Sequence, residues 1–379
     1  MKNKISIIFL IILGACVSEP ILEVNNLDTL KQIKIDMSDF YVYTDESENT
    51  YTTLSSIENT SQKTCYTMNN LNRLLRTENN LEKKMYDIEY NTRRFLVRNN
   101  LKPGNGNGGG NGGGNGGGNG GGNGGGNGGG GDPGPTPISG IINIPVIIHV
   151  LYNSDNQNIS DSQIESQISV LNEDFNATNN DLNLVPLEFT DDIGNTQIEF
   201  SLSQIIRKQT SVTSFGTNDN IKFNSQGGSD VISPENYLNI WVGNIGGGIL
   251  GYAQFPGGSN STDGVVIDTD YFGTNGTATS PFDKGRTGTH EVGHWLNLRH
   301  IWGDGRCNRD DFVSDTPKSD RPNYGCPNYP TNHCRSADMT MNYMDYTNDA
   351  CMQMFSNGQK DRMRALFVEG GPRASFYTP

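Results

Sequence analysis

Two histidines four residues apart, with a glutamate beside the first, give the strongest chemical signal in this sequence: His290, Glu291 and His294. On a helix, residues four apart lie on one face, so both imidazoles can reach the same metal ion. His300 can join them only if the helix ends and the chain turns back. Three imidazoles that leave one position to water are typical of catalytic zinc. We therefore predict a zinc site in which Glu291 takes a proton from zinc-bound water, so that hydroxide attacks a peptide carbonyl.

The string from His290 to His300 resembles the metzincin peptidase motif, His-Glu-x-x-His-x-x-Gly-x-x-His, which is followed downstream by a methionine turn. Three of the five histidines of the chain converge here, which disfavours solvated side chains on an ordinary amphipathic helix. The motif's glycine is replaced by Asn297. That position requires a left-handed backbone, which asparagine tolerates well, so we expect the turn to be kept.

Further stretches extend the resemblance to the pappalysin and cytophagalysin (ulilysin-like) family of metzincins. They are residues 144–146, 171–175, 251–256 and 262–266, and the similarity runs from about residue 140 to about residue 375. The resemblance implies an α+β catalytic domain of the metzincin-type zincin class. A twisted mixed sheet and the active-site helix would lie above a loop-rich, disulfide-linked lower half. The implied activity is that of a zinc endopeptidase acting on proteins or peptides.

The resemblance also implies roles for residues after the third histidine. Met344 matches the methionine turn and would pack beneath the histidines without binding metal. Tyr346 matches a tyrosine near the zinc and would donate to the developing oxyanion, although a buried aromatic is the alternative. Asp349 would line the pocket for the residue after the scissile bond and favour a basic side chain there.

Four of the six cysteines cluster after the zinc motif: Cys307, Cys326, Cys334 and Cys351. In an exported protein such a cluster indicates two disulfides, and the sequence alone allows three pairings. A second zinc site is the alternative, although no Cys-x-x-Cys pair is present. The family resemblance implies the pairs Cys307–Cys334 and Cys326–Cys351, which would hold the loop-rich lower half in place.

Carboxylates and hydroxyls are closely spaced between Asp310 and Thr316, and oxygen ligands at such spacing suit calcium. The family resemblance implies structural calcium in this region, with Asp311 and Thr316 as the best matches. A solvated acidic loop is the alternative.

The first residues predict export. Lys2 and Lys4 precede an apolar run over residues 5–13 that is too short to span a bilayer. Residues 13–16 resemble a bacterial lipobox, in which Cys16 becomes the lipidated N-terminus; a plain secretory signal is the alternative. We expect a signal peptide over residues 1–16. The protein would be lipid-anchored at the cell envelope, or released outside the cell after processing.

Residues 17–102 are polar and carry no catalytic cluster, and we expect a helical pro-segment there. Apolar residues recur at helical spacing between Leu71 and Phe95. The stretch from Cys65 to Phe95 resembles the pro-segment of secreted pappalysin-type enzymes. That resemblance implies a latency switch in which the Cys65 thiolate takes the zinc position meant for water, with a spare thiol as the alternative.

A tract of repeated Asn-Gly-Gly-Gly dominates residues 103–137, and glycine this dense behaves as a flexible coil. We expect a linker that lets the pro-segment fold back and is open to proteolytic cutting, or a passive spacer. The peptidase domain is expected over residues 138–379, as a monomer. The net charge of −14 argues against a nucleic-acid partner.

Two other functions compete with the peptidase. One is a zinc hydrolase of other substrates, which the methionine turn and the lack of extra metal ligands disfavour. The other is a catalytically inert surface binding protein, which would more readily have lost Glu291 or Tyr346.

Overall fold

The computed structural model describes residues 34–43, 65–101 and 138–377. From Ile35 onward these residues belong to one structural unit. The predicted signal peptide with Cys16 and the predicted linker over 103–137 lie outside the described residues. Among the helices that are described, none has the length and apolarity needed to cross a membrane.

Among the described residues, the N-terminal part contains two helices, α1 (Thr67–Thr77) and α2 (Leu81–Arg98). The apolar periodicity predicted helix throughout, but the structure breaks it at Asn80, whose φ is 64°. Asparagine adopts this left-handed conformation more readily than most residues, so the break falls there. Apolar side chains of both helices pack with Phe255 of the C-terminal part: Met68, Leu71, Leu74, Leu81 and Met85.

A five-stranded sheet forms the centre of the C-terminal part. Its strands are β1 (Ile142–Tyr152), β2 (Ile198–Gln209), β3 (Leu238–Gly243), β4 (Gly251–Ala253) and β5 (Val265–Asp268). The order is β2-β1-β3-β5-β4, with parallel pairing except between β5 and the edge strand β4. Residues 144–152 form a continuous apolar run, which predicts a central strand, and β1 lies between β2 and β3 as that pattern predicts.

Three further helices are α3 (Asp161–Phe175), α4 (Arg286–Trp295) and α5 (Asn357–Arg364). Ser356 and Gln359 have the sequence spacing of a capping box, and the structure forms it, with bonds in both directions. Ser160 and Gln163 have the same spacing, but that box is only half formed. Ser160 accepts from the backbone of Gln163, but the buried side-chain amide of Gln163 donates to the Phe272 carbonyl instead.

Loops dominate the region between α4 and α5. Its strands are β6 (Tyr324–Gly325), β7 (Asn332–His333), β8 (Ser336–Ala337) and β9 (Tyr346–Thr347). Disulfides join Cys307 to Cys334 and Cys326 to Cys351, the pairing that the family resemblance implied. These bonds consume the four thiols that a second zinc site would have needed. The expected architecture, a mixed sheet with helices and a disulfide-linked loop region, is confirmed.

Candidate active site

The end of α4 brings the third histidine back to the first two. Asn297 has a φ of 69°, which confirms the predicted left-handed turn. The Leu298 amide donates to the Gly293 carbonyl at 3.0 Å, and the Asn297 amide donates to the His294 carbonyl at 2.9 Å. This is the Schellman arrangement, which ends a helix and reverses the chain. It allows His300 to face α4.

The three imidazoles converge on one point. The Nε2 atom of His294 lies 3.2 Å from that of His290 and 3.1 Å from that of His300, and all three side chains are buried. Nitrogen ligands about 2.0–2.1 Å from a tetrahedral zinc ion would lie about 3.3 Å apart. The observed spacing therefore fits zinc.

Each Nδ1 atom has a partner that holds its ring in orientation. His290 donates to the Tyr343 carbonyl and His294 to the Leu298 carbonyl, both at 2.7 Å. His300 contacts the Asp304 carboxylate. Because each proton is held at Nδ1, the lone pairs of the three Nε2 atoms face one another. Histidine ligands of zinc are commonly oriented in this way, by a carbonyl or carboxylate that accepts from the other ring nitrogen. Such lone pairs repel unless a cation lies between them, so the donor set also fits zinc.

Cys65 occupies the fourth position of this cluster. Its sulfur lies 3.6 Å from Nε2 of His294, and the four ligand atoms lie within 4.8 Å of one another. A sulfur about 2.3 Å and a nitrogen about 2.0–2.1 Å from tetrahedral zinc would be separated by about 3.6 Å. Burial, reinforced by the Glu291 carboxylate, raises the pKa of the Cys65 thiol. A bound cation acts in the opposite direction.

Glu291 lies next to the cluster and contacts a residue that sequence reasoning missed. The Thr67 hydroxyl donates to Oε2 of Glu291 at 2.7 Å and accepts from the Ala253 amide, also at 2.7 Å. Thr67 follows Cys65 by two residues in the sequence. This proximity to the predicted zinc ligand was the only feature of the sequence that could have pointed to Thr67. The N-terminal part thus contacts both the histidine cluster and the glutamate.

Met344 lies beneath α4, as the resemblance implied. Its side chain is fully buried, and a Cβ atom at Gly293 would lie only 2.6 Å from its sulfur. This close approach explains why a residue without a Cβ atom occupies position 293, one of the unspecified positions of the motif. The neighbouring Asp345 accepts from Asn323 and Tyr346, yet burial raises its pKa to about 7.

Tyr346 is also at the site. Its ring centroid lies 4.8 Å from that of His300 and 5.9 Å from that of His290, and its side chain is buried. Trp302, which sequence reasoning did not single out, stacks on His300 with centroids 4.3 Å apart and an interplanar angle of 3°. The two aromatic rings restrict the orientation of the third histidine.

Asp349 has contacts that sequence reasoning did not foresee. It is fully buried, and its Oδ2 accepts from the backbone amides of Lys284 at 2.9 Å and Arg286 at 3.2 Å. The carboxylate thus lies at the N-terminus of α4, where negative charge is favourable. Its role in substrate selection stays a prediction.

The two residues predicted to bind calcium lie together. The Thr316 hydroxyl donates to Asp311 at 2.8 Å, and both residues are buried. Burial raises the pKa of Asp311, and the carboxylate of Asp310 adds to this rise. The carboxylate of Asp311 and the hydroxyl of Thr316 therefore lie together inside the protein.

Known proteins resemble this chain in sequence. The family model described as Pregnancy-associated plasma protein-A, peptidase family M43, matches residues 223–368. An extracellular metalloprotease of Arthroderma benhamiae is 31% identical over 239 residues, covering 60% of this chain and 73% of the relative. Extracellular metalloprotease 1 of Coccidioides posadasii is 32% identical over 241 residues, covering 60% of this chain and 77% of the relative.

Solved structures resemble it in fold. Mature mirolysin of Tannerella forsythia, in complex with a cleaved peptide, matches with a TM-score of 0.62 and 50% identity, covering 63% of this chain and 96% of that one. A Tannerella forsythia promirolysin mutant matches with a TM-score of 0.68 and 40% identity, covering 83% of this chain and 97% of that one. With three converging histidines beside a glutamate, these similarities show that the chain belongs to the pappalysin family of metzincins and is a zinc metalloendopeptidase.

Proposed function

We propose that this chain is the latent precursor of an exported zinc endopeptidase. One observation carries the proposal: Cys65 and Thr67 contact His294 and Glu291 at the same time. The comparisons support it, because the match to promirolysin covers a larger share of this chain (83%) than the match to mature mirolysin (63%). In this proposal residues 1–16 direct export, 17–102 are the pro-segment, 103–137 the linker and 138–379 the peptidase.

In the proposed reaction, His290, His294 and His300 hold zinc, which when bound would acidify the attacking water and polarise the scissile carbonyl. Glu291 accepts a proton from the attacking water and then gives a proton to the leaving amine. The Tyr346 hydroxyl donates to the oxyanion as it develops. Met344 supports the histidines from below through packing alone.

Latency follows from two contacts of the pro-segment. The Cys65 thiolate takes the ligand position that water needs, and the Thr67 hydroxyl engages the carboxylate that would accept the proton. Substrate cannot reach either group while the pro-segment is bound. Cutting within residues 103–137 would let the pro-segment leave and would free the peptidase from its lipid-bearing half.

The remaining features complete the proposal. The extracellular relatives support export, and Cys16 would carry the lipid anchor. Asp311 and Thr316 would hold a structural calcium ion, since a divalent cation would offset the cost of burying their oxygen cluster. Asp349 would favour a basic residue after the scissile bond. The partners are protein or peptide substrates, and the enzyme would act as a monomer.

Glu291→Gln tests the assigned base. The full chain is loaded with zinc, cut in its linker with a serine protease that is then inactivated, and incubated with a peptide library. Mass spectrometry should find fragments with the wild type, and a rate about 10²–10⁴-fold lower with Glu291→Gln, because glutamine cannot accept the proton.

Zinc content measured on both proteins is the control, since the substitution leaves the three histidines in place. Near-normal cleavage by the variant would rule out Glu291 as the base. No cleavage by a folded, zinc-loaded wild type would instead favour the inert binding protein.

A further inference from the structure

A second contact between the pro-segment and the peptidase lies away from the zinc site. Arg73, on α1, forms an ion pair with Asp219. The Asp219 side chain is only 3% exposed, whereas that of Arg73 is 32% exposed. The arginine therefore reaches from the surface into a buried acidic position.

The carboxylate is held by the peptidase itself. Lys222 lies 2.9 Å from Oδ1 of Asp219, and its ammonium group also donates to the Thr262 carbonyl at 2.7 Å. Lys222 is completely buried against Trp241 and Tyr252. Its Nζ atom lies 5.5 Å from the ring centroid of Trp241 and 5.2 Å from that of Tyr252. These contacts fix Oδ1, while Oδ2 accepts from the Arg73 guanidinium. The acceptor is thus built from residues that remain when the pro-segment leaves.

Asp219 lies near the edge strand β4, since its ion-pair partner Lys222 packs against Tyr252 of that strand. The same strand lies next to Glu291 at Gly251. The Tyr66 amide donates to the Gly251 carbonyl at 3.0 Å, and the Asn70 side chain donates to the Ala253 carbonyl at 3.1 Å. The edge strand therefore binds the pro-segment through backbone groups, as edge strands bind extended peptides. The Arg73 guanidinium also contacts Asn70 at 2.5 Å, so its position is tied to this edge.

The helix α1 gives the approximate distance between Glu291 and the Arg73–Asp219 ion pair. Thr67 contacts Glu291, and Arg73 follows six residues later, which is about 9 Å along a helix. An extended peptide covers that distance in about three residues. Arginine and lysine are long enough to bridge from such a peptide to a buried carboxylate, and arginine can use two donors.

We propose that Asp219 forms a cation subsite, which receives an Arg or Lys side chain of the substrate two to four residues from the scissile bond. Arg73 fills the same subsite in the precursor. The subsite is separate from the predicted pocket at Asp349, which concerns the residue directly after the scissile bond. The proposal rests on the proposed function and deepens it.

The test uses the zinc-loaded full chain after the linker has been cut. Peptides carry a single Arg, or Gln in its place, at successive positions around one cleavable bond. Wild type should cleave the Arg peptide roughly 10-fold faster or more at one position two to four residues away. Asp219→Asn should lose this preference and keep any preference directly after the bond. Asp230→Asn, which changes an exposed carboxylate, should keep both.

The outcomes separate the two proposals. If no peptide is cleaved, the proposed function fails. If peptides are cleaved but wild type shows no Arg preference two to four residues away, the subsite alone is overturned. That comparison needs no variant, so it decides the matter even if Asp219→Asn does not fold. An unchanged profile in a folded Asp219→Asn protein would also overturn the subsite.

Discussion

Individual residues of the site fall into two groups: histidines positioned to bind zinc, and residues of the N-terminal part that would block the zinc and Glu291. The Nε2 atoms of the histidines lie 3.1–3.2 Å apart because carbonyl and carboxylate partners hold their Nδ1 atoms. Cys65 completes the donor set, and Thr67 bridges Glu291 to the Ala253 amide. Cys65 would take the zinc position itself, whereas Thr67 only engages Glu291 by a hydrogen bond, so we expect the two residues to contribute unequally to the proposed latency.

The two latency contacts can be ranked by substitution in the uncut chain. Residual peptidase activity should rise from wild type to Thr67→Val and rise further in Cys65→Ser. Valine removes only the hydroxyl that engages Glu291, whereas serine replaces the strong zinc ligand. Activity is measured on protein whose intact mass shows that the linker is uncut. Equal activity in uncut wild type and Cys65→Ser would contradict the switch.

At the scale of elements, the turn after α4 determines whether a third histidine can join the first two. A continuing helix would carry His300 away from the face shared by His290 and His294. The Schellman bonds from Leu298 and Asn297 end α4 within one turn after His294. The geometry of the zinc site therefore depends on the left-handed residue of this turn, Asn297.

Substitutions at Asn297 test this dependence. Asn297→Gly should leave the melting temperature and zinc binding nearly unchanged, because glycine adopts positive φ freely and the Asn297 Nδ2 has no hydrogen-bond partner among the described residues. Asn297→Val should destabilise the fold by about 1–2 kcal/mol or more and weaken zinc binding. Thermal unfolding and zinc titration measure both effects. A valine variant with wild-type values would show that the turn does not control the site.

Across the whole molecule, contacts away from the zinc site also hold the N-terminal part, which we propose to be a pro-segment. Glu89 of α2 is buried and contacts Arg93 of the same helix and Arg362 of α5. Burial alone would raise the pKa of Glu89, but the two guanidinium groups outweigh it and lower that pKa. The N-terminal residues before α1 add further contacts, since Arg299 donates to the Tyr41 carbonyl at 2.7 Å.

Glu89→Gln should weaken the hold of the pro-segment on the peptidase. Removing one partner of a buried ion pair costs about 3–5 kcal/mol, which corresponds to an affinity roughly 100-fold lower or more. The N-terminal part should then leave the linker-cut protein sooner than in wild type, as size-exclusion chromatography at successive times after the cut would show. Asp87→Asn is the matched control, because the Asp87–Lys83 pair is exposed on the same helix and such pairs contribute little. Equal retention of the pro-segment in both variants would contradict this role for Glu89.

Features that depend on local spacing could be predicted from the amino-acid sequence alone. The four-residue interval placed His290 and His294 together because the helix repeat is fixed. Asparagine at position 297 indicated the left-handed turn because few other residues tolerate it. The apolar run of β1 indicated a central strand because only a strand buried on both faces lacks polar alternation.

Contacts between residues far apart in the chain became visible only in the folded structure. The hydroxyl of Thr67 on Glu291, the ion pair of Glu89 with Arg362, and the position of Asp349 at the start of α4 join residues more than 60 positions apart. No local periodicity encodes such contacts. The first two follow from how the N-terminal helices pack on the edge of β4 and on α5, and the third from how the chain before Cys351 folds back onto α4. Packing of this kind is a property of the whole fold.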